Sequence, residues 1–171
     1  MTSQEKQLLI SLSEEINVPY EWLYNLIQFE SGFNPGAENP VSSAKGLLQF
    51  IDSTAVQLGY KDSLDLIQKH PTVESQLVSP VRTYLLSQAP FPTKQSLYMA
   101  VFYPAYKYVE PERVFPKRVQ DSNPGIKTPA DYIEKVDSKF PKLPAPGLSF
   151  IAVLGIAGLL FIILTQQKGK K

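Results

Sequence analysis

The chain has 171 residues, 43% hydrophobic and 19% charged, which is enough for one compact domain with appendages. Its net charge is +1, and no basic block interleaves with aromatics, so it carries no footprint for nucleic acid. It has no Cys and a single His, which excludes disulfides and thiolate metal sites and leaves no metal constellation; no cofactor is called for.

The first expected helix covers residues 4–17, where Leu8, Leu9, Leu12 and Ile16 share a face and Thr2 or Ser3 can cap. Met1 to Gln7 is mostly polar, and the apolar run Leu8 to Leu12 is too short for a signal-peptide core. Asn17-Val18-Pro19 breaks this helix. Pro19 suits the first turn of a second one, which runs to about Phe29 with Trp22, Leu23, Leu26 and Ile27 as its apolar set. Glu30 falls at its end, and Gly32 can terminate it.

A turn region rich in Gly, Asn, Pro and Ser extends to Ser43. A short helix is expected over 53–58, capped by Asp52 or Ser53, and another from Ser63 to near His70-Pro71. A longer helical stretch over 72–87 contains Pro80, which bends or splits it. After the break Ala89-Pro90-Phe91-Pro92, Thr93 caps a helix carrying Leu97, Tyr98, Ala100, Val101 and Phe102. Residues 107–127 read as irregular. Thr128-Pro129-Ala130-Asp131 then opens a helix with Tyr132, Ile133, Val136 and Phe140. No alternating strand and no repeat is found, so the class is mostly α.

The soluble part is expected over 1–140. Pro141, Pro144 and Pro146 stiffen a linker over 141–147. Residues 148–165 are apolar, with Ser149 the only polar residue through Leu164; about seventeen residues span about 25 Å as a helix. Against a hydrocarbon core of ~30 Å this is a short but adequate transmembrane helix, the alternative being a buried core helix. Lys168, Lys170 and Lys171 lie in a basic tail, 166–171. The layout is that of a single-pass protein with a C-terminal anchor in a lipid membrane.

Glu30 is the candidate acid. A carboxyl closing an apolar helix among Leu26, Ile27, Phe29 and Phe33, with Phe50 brought near, suits a general acid whose pKa burial raises. The alternative is a solvated Glu at a helix end. Glu38 and Asp52 are the nearest candidates for a second carboxylate; Glu38 reads as loop surface and Asp52 as a helix cap. His70 reads as surface or capping, and Lys117-Arg118 as a solvated face, with contact to substrate carboxylates as the alternative.

The order E-S-x-F-x-P-x-A from Glu30, followed by S-x-A-x-G-L-x-Q from Ser42 to Gln49, resembles the signature of the soluble lytic transglycosylase family and its goose-type lysozyme relatives. The resemblance implies a lysozyme-like domain. It also implies cleavage of the MurNAc–GlcNAc β-1,4 bond of peptidoglycan, with Glu30 as the single acid and base and 1,6-anhydromuramyl ends as product. Ser31, Gly46, Leu47, Leu48 and Gln49 then fall at substrate-binding positions, Ser31 also being placed to hydrogen-bond Glu30.

Met99 to Tyr106 resembles the family's third motif, with Tyr103 on its Tyr, but Pro104 replaces the usual Asn and Tyr106 the usual Gly. Tyr132 resembles the family's C-terminal cleft Tyr; for both tyrosines the alternative is packing. Small size, the polar start and the tail anchor point to a phage virion protein in a virion membrane, alongside other virion proteins; the alternative is a bacterial inner membrane, facing the periplasm. The rival functions are a hydrolytic muramidase of the same fold and a non-catalytic wall-binding or structural virion membrane protein.

Overall fold

The computed structural model describes residues 1–140. The expected linker 141–147, the apolar segment 148–165 and the tail 166–171 lie outside the described residues. Among the described residues no helix is long and apolar enough to cross a membrane.

Helix α1, Ser3–Glu15, begins at a reciprocal capping box: Thr2 accepts from the Glu5 N–H, and the Glu5 carboxylate accepts from the Thr2 N–H. It ends two residues short of the expected boundary, and Asn17 turns the chain at φ 55°. Helix α2, Tyr20–Ser31, runs two residues past the expected Phe29, so Glu30 sits inside its last turn rather than beyond it. Gly32 closes it at φ 63°, the left-handed conformation that glycine adopts without steric cost. Leu23, Leu26 and Ile27 are fully buried, and α2 packs against α1.

The segment between α2 and the next helix forms no strand, only isolated antiparallel bridges pairing Lys45 with Glu38 and with Phe50. Helices α3, Asp52–Gln57, and α4, Ser63–Lys69, follow. Two expected caps are corrected here. Ile51 occupies the α3 cap position with no side-chain bond, and Asp62, not Ser63, caps α4. Asp52 instead accepts from the Ser63 N–H at 3.0 Å and the Ser63 hydroxyl at 2.7 Å, tying α3 to α4; these bonds hold its carboxyl below the usual range.

Pro80 splits the next stretch as its chemistry requires. It lacks an N–H and its ring clashes with the carbonyl four residues back, so the chain widens into a π turn, Leu77–Val81, between α5, Val73–Gln76, and α6, Arg82–Gln88.

Helix α7, Lys94–Phe102, is an interior helix: every residue from Gln95 to Ala100 is buried. A 3-10 turn, Pro104–Tyr106, follows it. The expectation that 107–127 is irregular is corrected by α8, Lys117–Ser122, which begins after Pro116. Helix α9, Pro129–Lys139, starts at the expected box, with Thr128 and Asp131 bonded to each other's backbone N–H. It packs on both α2 and α7, and this three-helix contact positions the site.

Candidate active site

Glu30 opens onto a cleft of about 690 Å³. One wall is the 39–57 segment, contributing Asn39, Leu48, Gln49, Phe50, Thr54 and Gln57. The other comes from α6 to α8, with Tyr84, Gln88, Phe102, Tyr103, Pro104 and Asn123. Glu30 is the only carboxylate among these lining residues. Around it stand five neutral amides, which offer both donors and acceptors, and aromatic and aliphatic faces. That combination matches sugar hydroxyls, acetamido groups and the apolar faces of pyranose rings.

The carboxyl is held from behind. The Tyr132 hydroxyl donates to Glu30 Oε1, from a ring that is 1% exposed. Phe102 stacks on that ring at 4.4 Å, Phe29 meets it edge-on at 5.5 Å, and Tyr98 lies at 6.2 Å, so the hydroxyl has one place to point. Tyr132 was expected in contact with substrate. It is absent from the cleft lining and acts on Glu30 instead, which corrects that reading and also the alternative of packing alone.

Burial raises the Glu30 pKa from 4.5 to about 7, with the Tyr132 hydrogen bond pulling the other way. The apolar floor therefore dominates, and a substantial fraction of Glu30 carries a proton at neutral pH. Burial, then the neighbouring Glu30, drives the Tyr132 phenol well above its ordinary value, so it stays a donor.

The segment facing Glu30 is a knot of backbone bonds. Gly46 N–H donates to Ala37 O at 2.8 Å, and Lys45 and Phe50 exchange bonds at 3.0 and 2.9 Å. Gly46 takes φ 76°, and a Cβ there would stand 2.7 Å from Gln76 Oε1, so its expected backbone role has two separate causes. Gln49 adopts φ 50°, an uncommon conformation for a non-glycine residue and a form of local strain often found at functional sites. Its amide donates to Gly46 O at 3.0 Å while the side chain lines the cleft.

Two other expected contacts resolve differently. Leu48 lines the cleft, but Leu47 is fully buried and belongs to the core; its backbone matters instead. Ser31 does not bond the Glu30 carboxyl. Its hydroxyl donates to Ile27 O at 3.1 Å and Leu47 O at 3.0 Å, because the last turn of α2 points it across to the 46–49 segment. Glu38 pairs with Lys45 on the loop surface, as expected, and does not line the cleft.

Tyr103 does line the cleft, and Pro104 beside it opens the 3-10 turn. Tyr106 is a clamp: its hydroxyl donates to Val114 O at 2.9 Å and its ring packs on Phe115 at 4.9 Å.

Sequence reasoning missed Gln76. It is fully buried, accepts from the Leu47 N–H at 2.9 Å, and donates to Pro35 O at 2.7 Å and His70 O at 2.9 Å. One amide thus ties three loops behind the cleft. His70 itself is half-buried, with its ring Nε2 2.7 Å from the Tyr60 hydroxyl. Asn123, at the end of the unexpected α8, was also missed. The only local hint for Gln76 was a polar residue on the apolar side of a helix.

Residues 7–77, containing Glu30, Ser31 and the 46–49 turn, match the transglycosylase SLT domain family. The matched stretch supports the resemblance to that family read from the sequence. The match indicates a peptidoglycan lytic transglycosylase, a glycosidic bond lyase. Tyr103 and Tyr132 lie beyond the matched stretch. Neither the curated proteins nor the solved structures yield a significant match.

Proposed function

We propose that this transglycosylase cuts the MurNAc–GlcNAc β-1,4 bond and leaves 1,6-anhydromuramyl ends, with Glu30 as the sole acid and base. The observation that carries this reading is the lone carboxylate: among the described residues lining the cleft, Glu30 is the only one.

An inverting glycosidase needs a second carboxylate ~6.5–9.5 Å from the first to activate water, and a retaining one needs a nucleophile at about 5–5.5 Å. Here the nucleophile is the substrate's own C6 hydroxyl. Protonated Glu30 gives its proton to the glycosidic oxygen as the C1–O bond breaks, and the departing sugar leaves as an alcohol. The resulting carboxylate takes the proton from the C6 hydroxyl as that oxygen bonds to C1. The proton is returned, no water is consumed, and Glu30 ends as it began. A pKa near neutrality suits both halves of the cycle. Tyr132 is a positioning residue that aims the carboxyl. The cleft amides, with Leu48 and Tyr103, hold the sugars on either side.

The test uses the full chain in a non-ionic detergent with purified peptidoglycan. Anhydromuropeptides released by wild type and not by Glu30→Gln support the proposal. Hydrated reducing ends would make the enzyme a muramidase. No release from folded wild type would favour a wall-binding or structural role.

We also propose that residues 148–165 anchor the chain in a lipid membrane, in a phage virion where the enzyme opens the wall for genome entry. The support is the length and apolarity of that segment. Detection of the chain only in uninfected cell envelopes, never in particles, would overturn the virion assignment. Extraction from membranes by carbonate would overturn the anchor.

A further inference from the structure

Among the described residues no cation lines the cleft itself, but Arg118 reaches its wall from α8. Lys45 is paired with Glu38. Lys107 donates to the Gln88 carbonyl, with its ammonium 4.9 Å and 4.8 Å from the Phe91 and Tyr108 ring centroids. Lys117 is paired with Asp121. Arg118, the next residue on α8, is exposed and forms no ion pair among the described residues.

Its one side-chain partner is the Tyr103 hydroxyl, 3.5 Å from a terminal guanidinium nitrogen. Tyr103 is part of the cleft wall, and Asn123 brings the far end of α8 to the same cleft. The Asn123 amide donates to Val119 O at 2.9 Å, a bond that holds this end of α8 in place. Tyr103 is fixed in turn by Phe115 at 5.8 Å and Tyr106 at 5.1 Å. The long Arg side chain is thus tethered at the cleft rim with most of its N–H donors free.

A guanidinium in that state recognises carboxylates through two parallel hydrogen bonds. Peptidoglycan glycan strands are neutral along their acetylated backbone, and their anionic groups are the free carboxylates of the peptide stems. We propose that Arg118 is a specificity residue that binds a stem carboxylate of the strand lying in the cleft, so that the enzyme prefers stem-bearing glycan. This rests on the reading of the cleft given above.

The test measures binding by full-length Glu30→Gln protein, which separates recognition from turnover. Three materials are compared: native peptidoglycan, the same with stem carboxylates converted to neutral methylamides, and strands stripped of stems, which carry only the muramyl lactyl carboxylate. Arg118→Gln should weaken binding to native material about tenfold, the scale of one charge-assisted hydrogen bond. It should leave binding to the other two unchanged. Arg118→Lys should recover part of the loss, and Lys117→Gln should have no effect.

Equal weakening on all three materials would mean that Arg118 only props Tyr103, and no weakening on any would mean that it is solvated; either overturns the proposal. Loss that persists on stripped strands would assign the contact to the lactyl carboxylate, against the stem. If wild type releases no anhydro ends, the reaction reading fails, while the binding comparison still decides the role of Arg118.

Discussion

Glu30→Gln should stabilise the protein at alkaline pH and do so in a pH-dependent way. Burial holds the Glu30 carboxyl at a folded pKa of about 7, against 4.5 for the ordinary group. Between these values the folded chain keeps a proton that the unfolded chain has released, so stability falls as pH rises through that window. At ~1.4 kcal/mol per pH unit the window gives a ceiling of about 3 kcal/mol, reached above pH 7 and absent below about 4.5. A neutral glutamine keeps the acceptor for Tyr132 and never ionises.

The stability difference between variant and wild type should therefore be small at pH 4.5 and grow to about 2–3 kcal/mol in favour of the variant at pH 8. Urea denaturation of both proteins at several pH values measures it. Groups with depressed pKa values, Glu15, Asp52 and Asp65, stabilise above their unfolded values and lose that contribution as pH falls. They are common to both proteins and cancel in the difference. Parallel curves from pH 4 to 9 would mean that Glu30 is solvated and would remove the basis for its role as an acid.

Further outcomes follow from single contacts. Tyr132→Phe deletes the bond that lowers the Glu30 pKa, so the alkaline limb of the kcat–pH profile should move up, and kcat should fall on the order of tenfold as the carboxyl loses its orientation. Gly46→Ala sets a Cβ against the Gln76 amide at a left-handed φ and should destabilise the fold by about 2–4 kcal/mol in denaturant melts. Gln76→Leu leaves the Leu47 N–H and the Pro35 and His70 carbonyls without their partner. It should destabilise by about 3 kcal/mol and speed hydrogen exchange at Leu47.

The features legible in the sequence were those with local causes. Thr128, Pro129 and Asp131 announce the start of α9 because a capping box is written within four residues. Gly32 and the following turn announced the end of α2, and with it Glu30. The site's decisive contact was not local: Tyr132 and Glu30 are 102 residues apart, and only the packing of α9 on α2 joins them. The same limit hid Gln76, two of whose three partners lie 41 and 29 residues away in the chain. It also misdirected Ser31 and Asp52, since each makes a bond across the fold, Ser31 to the Leu47 carbonyl and Asp52 to Ser63. Helix α8 escaped because six residues between prolines carry too little periodicity to read.

The most direct test of the central claim is digestion of peptidoglycan in water enriched in oxygen-18. If the muramyl C6 hydroxyl is the nucleophile and Glu30 the only acid and base, the new ends contain no oxygen from solvent. Mass spectrometry should then find unlabelled 1,6-anhydromuramyl ends, formed by wild type and not by Glu30→Gln. One oxygen-18 at each new reducing end would show that water attacks C1, and would contradict the account.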